Sequence, residues 1–302
     1  MDFRQISLGD KERIEQYVSR YGENSCQYSF PAMFCLQSKY GDRICEKEGW
    51  LFILRSALCG GRYRTYLFPL GGGSPEQAMS LLEDDAREHH ALIRFETATE
   101  GQKCILDSCC PGRFNGSEER DLAEYIYSRE RIASQEGSFL QSRRRECRIF
   151  RREYGAAAEV SAIVPGDIPE ILRFQGYWMQ QHRTDPDRDE LLQEDESIRI
   201  AFSNFSELGM AGIVLRINGA VRGYSIGCRI SPDCFDERNE KCDIHFTGIY
   251  SEVKQKTAAA AQTRYLNWEE DLGNPGLRSF KMTYKPEILL KKYILTEVPT
   301  VE

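Results

Sequence analysis

The sequence predicts two tandem α/β (α+β) units, each a mixed sheet flanked by helices, at residues 1–150 and 151–302. Three observations carry that expectation. The chain has 302 residues, more than one compact core ordinarily organises and enough for two domains of roughly 150. Hydrophobic residues make up 41% and charged residues 29%, with aromatics along the whole length, which excludes disordered, collagenous and fibrous classes. Finally, an order of helix, hairpin, strand, helix, strand recurs in both halves, as in a duplicated unit.

In the first half, Asp10 to Tyr21 is amphipathic and leads to an aromatic segment, Tyr28-Ser29-Phe30-Pro31. Trp50 to Arg55 and Tyr63 to Phe68 are rich in β-forming residues and are separated by the turn-prone Cys59-Gly60-Gly61, which predicts a hairpin. After Gly71-Gly72-Gly73, Ser74 suits an N-cap, Pro75 the first helical position, and Gln77 a capping box, so a helix is expected from Pro75 to His90. A charged helix pair from Ser117 to Arg152 separates the halves.

The second half begins with a proposed N-cap at Asp167 and a helix from Ile168 to His182. A loop, Arg183 to Glu190, precedes another helix ending near Leu208-Gly209. Gly212 to Ile217, the turn Asn218-Gly219, and Val221 to Ile226 give the strongest hairpin signal in the chain. A polar loop from Ser231 to Lys241, a strand from Asp243 to Tyr250 and an alanine-rich helix from Lys254 to Leu266 are expected to follow.

Composition narrows the function classes. No apolar run approaches the ~20 residues of a spanning helix, and the N-terminus lacks the basic-then-apolar order of a signal peptide; the expected location is the cytoplasm. Eleven cysteines, an odd number with no C-x-x-C pair, suit reduced thiols better than a disulfide scaffold. Forty basic against forty-seven acidic residues give a net charge of -7, so the chain as a whole is not an electrostatic nucleic-acid binder, and no DNA partner is expected.

Several motifs have plain readings that outweigh the functional ones. Gly223-Tyr224-Ser225-Ile226-Gly227 matches the G-x-S-x-G nucleophile elbow, but it lies within a hairpin strand and no helix opens after it. Cys242 and His245, with Cys234 upstream, could suggest a metal site; three apart on a strand, their side chains point to opposite faces, and no metal is expected. His89 and His90 at a helix end read as solvated. The triglycine lacks the spacing and the Lys-Ser/Thr of a nucleotide loop and reads as a flexible turn.

Two segments resist plain readings. From Phe139 to Arg152 six arginines face one glutamate, +5 in fourteen residues. Such a run repels itself unless acids or a phosphorylated partner lie opposite. The second runs from Asn267 to Pro286: three acids read as ending a helix, where negative charge is disfavoured, and a Gly-Asn-Pro-Gly turn then leads into an expected strand bearing Lys281 and Tyr284. Local conflict of this kind often marks function.

The second segment reads Asn267, Glu269, Asp271-Leu272-Gly273, Gly276-Leu277-Arg278, Lys281, Tyr284, Pro286. In this order it resembles the phosphatidylglycerol lysyltransferase C-terminal family and its small bacterial relatives. A second element of that family falls on Gly137, Arg143, Arg144, Arg145 and Phe150, with weaker echoes at Phe68-Pro69-Leu70-Gly71 and Asn204-Phe205 to Leu208-Gly209. The resemblance implies two tandem GNAT-like acyltransferase domains, akin to the Fem-type aminoacyltransferases that use charged tRNA. Three positions depart from the family pattern: Trp268 replaces an arginine, Arg145 an asparagine, and Thr247 the acid of an H-x-E that begins at His245.

The expected activity is transfer of an aminoacyl or acyl group to an amine or hydroxyl, in the C-terminal domain. Glu269 or Asp271 is expected as base or ammonium-binding carboxylate, Lys281 and Tyr284 as oxyanion or leaving-group partners. Asn267, Arg278 and His245 are expected to bind substrate, and Arg143, Arg144, Arg145 and Arg148 to contact the phosphates of tRNA or another anionic ligand. Against this stands a structural role for Asp271, capping the next turn and pairing with Arg278. No bound cofactor is expected; aminoacyl-tRNA is the expected donor. Acetyl-CoA is disfavoured because neither half places an R/Q-x-x-G-x-G/A turn at a helix N-terminus, where GNAT enzymes hold its pyrophosphate. Peripheral lipid contact is compatible with the family. The alternatives are a non-catalytic tandem module for an anionic ligand and a CoA-dependent N-acetyltransferase.

Overall fold

The computed structural model of the protein describes residues 1–184 and 188–299. It divides into two compact units: residues 1–124, 270–274 and 289–302 form the first, and 125–269 with 275–288 the second. The boundary therefore falls near Glu124 rather than 150, and the arginine-rich helix belongs to the second unit. The reason is the way strands are shared between the sheets.

The first unit runs β1 (Arg4–Gln5), α1 (Lys11–Tyr21), the short α2 (Phe30–Cys35) and α3 (Gln37–Tyr40), β2 (Asp42–Lys47), β3 (Trp50–Arg55), β4 (Tyr63–Tyr66), β5 (Leu70–Gly71), α4 (Pro75–Glu88), β6 (Leu92–Thr99), α5 (Glu100–Cys109) and β7 (Phe114–Glu118). The expected hairpin partner of β3 is present, with Leu54 opposite Tyr66, but β3 also pairs along its full length with β2, which sequence reading missed. Ser74 caps α4 through Gln77 N–H, while the Gln77 side chain bonds Glu48 instead of closing a box. The triglycine packs against Trp50 and Tyr21. Trp50, Phe52, Phe68, Leu82 and Phe95 lie in the core of this unit.

The second unit contains β8 (Glu124–Ser128), α6 (Arg129–Ser134), α7 (Gln141–Tyr154), β9 (Ala158–Ala162), α8 (Ile168–Gln181), α9 (Arg188–Ser203), β10 (Ala211–Ile217), β11 (Ala220–Arg229), β12 (Cys234–Cys242), α10 (Ile249–Ala260), β13 (Tyr265–Asn267), α11 (Pro275–Thr283) and β14 (Ile288–Leu290). The helix from Ile168 and the Asn218-Gly219 hairpin form as expected. Asp185 to Asp187 of the expected loop lie outside the described residues, and α9 ends at Ser203, short of Leu208. Only the latter part of the expected charged helix pair is helical, because Phe114–Glu118 and Glu124–Ser128 are strands.

Three further expectations are corrected. The polar stretch read as a loop is β12, and Asp243 to Gly248 is a turn entering α10. The acids at 269–271 follow a strand rather than ending a helix. The segment bearing Lys281 is the helix α11, with Pro275 at its first turn. In the G-x-S-x-G match, Ser225 is buried within β11, and a Cβ on Gly227 would come within 2.0 Å of the Asp236 carbonyl oxygen, so close strand approach explains the glycine.

The last strand, β15 (Lys292–Glu297), returns to the first sheet. Strand order there is β1-β2-β3-β4-β6-β15-β7, and in the second sheet β9-β10-β11-β12-β13-β8-β14. Each sheet has one parallel pair flanked by antiparallel neighbours, β4 with β6 and β12 with β13, joined through a helix because parallel strands need a crossover connection. The repeat is therefore a repeat of topology, with β15 and β8 filling equivalent places from elsewhere in the chain.

Candidate functional site

The parallel pair of the second unit separates. β12 and β13 match Cys234 with Tyr265, Phe235 with Leu266 and Asp236 with Asn267, and the ladder then ends although β12 continues to Cys242. Past that point the chain stays tied on its other side, Trp268 N–H donating to Tyr125 O at 2.9 Å. Glu269 takes a positive φ of 55°, a conformation uncommon for a side-chain-bearing residue.

Charged and aromatic groups converge beside this separation. Lys254, from α10, donates to Glu237 at 2.7 Å, lies 3.4 Å from Glu240, and sits 4.2 Å from the centre of the Trp268 ring. Trp268 packs in a tilted arrangement on Tyr127, with ring centres 4.0 Å apart, and meets the edge of Tyr284 at 4.9 Å. The Tyr284 hydroxyl is buried near the Ser251 hydroxyl and makes no hydrogen bond of regular geometry. Burial pushes its pKa up to about 12, with the Arg143 charge and the Ser251 hydroxyl opposing.

Burial also pushes the Glu240 carboxyl up to about 8, with Lys254 opposing and Glu237 adding to the rise. Lys254 loses by burial but gains more from the two glutamates, so its pKa is raised. Because folded Glu240 holds its proton above the ordinary value of 4.5, the folded state binds more protons than the unfolded one between there and about 8. Stability should then fall as pH rises through that window. Glu240→Gln should remove most of this slope in melting temperatures measured from pH 5 to pH 8.5; an unchanged slope would show that Glu240 is ionised throughout.

The expected site residues are partly gathered here. The Glu269 carboxylate lies 3.3 Å from Arg238. Lys281 is buried and donates to the carbonyl oxygens of Trp268 at 2.6 Å and Glu269 at 3.3 Å. It therefore fixes the backbone that presents Trp268. Asn267 closes a local turn onto Glu269 N–H at 2.8 Å. Asp271 belongs to the first unit, where it caps the turn by accepting from Gly273 N–H at 2.9 Å and pairs with Arg120 at 3.3 Å. Arg278 is half-buried on α11. His245 projects from the turn after β12, largely exposed, with Nδ1 2.7 Å from Asp243. Cys242 is buried in an apolar cluster with Ile249 and Val253, so the pair does not converge as metal ligands.

The arginine run on α7 splits by face. Arg143 grips Glu146 with contacts of 3.0 and 2.9 Å and lies 5.3 Å from the Tyr284 ring centre. Arg144 donates to the carbonyl oxygens of Gln135 and, at 2.7 Å, Gly137. Both are half-buried and held by contacts within their own unit. Arg145 and Arg148 are exposed, with no hydrogen bond or ion pair among the described residues.

Sequence reading missed Glu237, Glu240 and Lys254. The available signal was the cluster of acids and bases between Cys234 and Cys242, in which residues of both faces are polar. That pattern hides a strand, since alternation of polar and apolar is what identifies one. The first unit supplies a contrast. After β4 and β6 part, the Tyr28 hydroxyl joins Phe68 O and the Gln102 side chain, both at 3.1 Å. There the polar groups satisfy one another.

Two sheets of matching strand order, each with a parallel pair that separates, define a tandem GNAT-like fold. A tandem GNAT protein from the clavulanic acid biosynthesis pathway has it too, with a TM-score of 0.50 and 9% identity over 100% of this chain and 99% of its own. The chain belongs to the phosphatidylglycerol lysyltransferase C-terminal family, whose model matches residues 18–296. It is similar to a conserved protein of unknown function from Bacteroides thetaiotaomicron, with 27% identity, a TM-score of 0.93, and coverage of 99% of this chain and 100% of that one. L-PGS from Bacillus licheniformis shares the fold at 14% identity and a TM-score of 0.63, over 97% and 93% of the two chains. A comparison with curated proteins finds no match. Among the described residues no helix is long and apolar enough to cross a membrane.

Proposed function

We propose that the protein is a transferase that moves an aminoacyl or related acyl group from an aminoacyl-tRNA-type donor to an amine or hydroxyl acceptor, beside the separated strands of the second unit. The observation that carries this reading is the buried Tyr284 hydroxyl, without a hydrogen bond of regular geometry, next to a carboxyl group poised near neutrality. Family membership supports the same reading.

The chemistry needs only a proton carrier and an oxyanion donor. The acceptor attacks the ester carbonyl and forms the new C–N or C–O bond, Glu240 takes the acceptor's proton, and the Tyr284 hydroxyl donates to the developing oxyanion. Collapse breaks the ester C–O bond, and Glu240 returns the proton to the departing oxygen. Lys254 holds Glu240 in place, and Trp268 gives the acyl group an aromatic wall. Acetyl-CoA remains the disfavoured donor. At the N-terminus of α10 a Cβ on Gly248, whose φ is 84°, would come within 2.4 Å of the Glu146 carbonyl oxygen, and Ser251 already donates to the Glu146 carboxylate. A pyrophosphate there would meet negative charge.

The test is transfer of a labelled aminoacyl group from charged tRNA to small amines and to vesicles containing phosphatidylglycerol. Tyr284→Phe should slow transfer by roughly 10²-fold, the cost of removing one oxyanion donor, with the fold intact. Replacing Arg145 and Arg148 with alanine should flatten the log-log salt dependence of tRNA binding by about 1.4, two single-strand contacts. Transfer unchanged in Tyr284→Phe would remove that residue from the chemistry. Salt-dependent tRNA binding without any transfer would favour a binding module, and acetyl transfer from acetyl-CoA alone would overturn the donor.

A further inference from the structure

A cavity of about 320 Å³ opens in the first unit, far along the chain from the groups described above. Phe3, Arg43, Leu54, Ser56, Arg64 and His89 line it. Its volume is at the small end of ligand pockets, which span roughly 300–1,000 Å³. The lining is unusual in how its positive charge is held.

Arg43 is exposed on β2 and has no hydrogen bond or ion pair among the described residues. Its strand neighbours Ile44 and Cys45 are buried, so the strand beneath it is anchored. Arg64 donates through Nε to Asp85 at 2.5 Å, and among the described residues no hydrogen bond uses its terminal nitrogens. The same carboxylate accepts from the Tyr66 hydroxyl at 2.5 Å and from the Met1 ammonium at 2.9 Å. Asp85 is thus saturated, and the Arg64 guanidinium is fixed in plane with donors to spare. His89 Nδ1 lies 2.7 Å from the Asp85 carbonyl oxygen, which places a proton on Nδ1 because a carbonyl oxygen only accepts. Asp2 is the acid at the rim, and among the described residues it forms no ion pair with either arginine. Phe3, 5.7 Å from the Arg64 guanidinium, and Leu54 supply the apolar wall.

Two guanidiniums and an apolar wall around one small cavity match an anion with a compact carbon skeleton. A guanidinium fork meets two oxygens of one oxyanion with two parallel N–H groups, and a phosphate has a third oxygen to offer a second guanidinium. We propose that this cavity binds a small phosphomonoester, its phosphate on Arg43 and Arg64 and its organic group against Phe3 and Leu54.

The experiment is calorimetric titration of the full chain with phenyl phosphate, inorganic phosphate and phenol. Phenyl phosphate should bind saturably, inorganic phosphate more weakly, and phenol not at all. Arg43→Ala, which removes an exposed side chain and leaves the fold unchanged by circular dichroism, should weaken phenyl phosphate at least about tenfold. Chemical shifts of Ser56 and His89 should move on titration, and the variant should need about tenfold more phenyl phosphate for the same movement. No saturable heat with phenyl phosphate, equal affinity in Arg43→Ala, or phenol binding as well as its phosphate would each overturn the assignment.

Discussion

Expressed as separate pieces, residues 1–150 and 151–302 are expected to be unfolded or aggregated, while the whole chain gives a cooperative melt. Each piece would keep most of one sheet and lose an inner strand. In the first sheet β15 lies between β6 and β7, with Lys292 fully buried and Leu295 nearly so. In the second, β8 lies between β13 and β14 and buries Tyr125, Ile126 and Tyr127. Losing three such side chains forfeits on the order of 5–9 kcal/mol, comparable with the whole stability of a domain, about 5–15 kcal/mol. It also bares two inner edges in each sheet, which template aggregation. Circular dichroism and gel filtration of the two pieces, alone and co-expressed, make the measurement. Co-expression should recover soluble protein, because each piece carries the strand the other lacks. A monomeric piece 1–150 with its own sharp melt would refute the strand exchange.

That exchange is the feature of the fold least legible in the sequence. The duplication was visible because local signals are strong where one turn fixes the register, as at Asn218-Gly219, or where a cap marks a helix, as at Ser74-Pro75. Which sheet a strand joins is a long-range matter that no local pattern encodes. β15 was therefore not anticipated, and the boundary at 150 followed the sequence order of elements instead of their pairing. Glu269 and Asp271 show the same limit in the site. They are two residues apart, yet belong to different units. Glu269, Lys281 and Tyr284 lie near one another because a short turn and a nine-residue helix connect them, and Lys281 bonds the backbone of Glu269.

β12 was lost for a different reason. Glu237 and Glu240 face Lys254, whereas Lys241 pairs with Glu194 at 2.7 Å and Asn239 reaches the same glutamate at 3.2 Å. Buried charge on both sides of one strand removes the periodicity that would reveal it. The bulge between Ile226 and Gly227 in the β11–β12 pairing shifts the alternation as well. Charge placed in a core at such cost is a signature of function more than of stability. The strand hardest to recognise is also the one carrying the candidate acid.

Replacing Lys292 with methionine is expected to cost about 3–5 kcal/mol, the usual effect of removing one partner of a buried ion pair. Lys292 and Glu124 are both fully buried, 2.6 Å apart. Ser25 joins them, accepting from Lys292 at 2.5 Å and donating to Glu124 at 2.7 Å, while Cys26 N–H donates to the other carboxylate oxygen at 2.9 Å. Burial alone would raise the Glu124 pKa, but Lys292 and these donors outweigh it, and the pKa is lowered. A depressed carboxyl contributes stability above its unfolded pKa and loses it as pH falls through the folded value. Lys292→Met should invert that sign: an uncompensated buried carboxylate has a raised pKa, so the variant should be least stable at neutral pH and recover in mild acid. Glu124→Gln combined with Lys292→Met should regain much of the loss, since no charge is then left buried. Urea unfolding of the three proteins at pH 5 and pH 7.5 reads all of this. A single variant as stable as the native protein, or one that gains stability as pH rises, would show that Glu124 is relieved by water and not by Lys292.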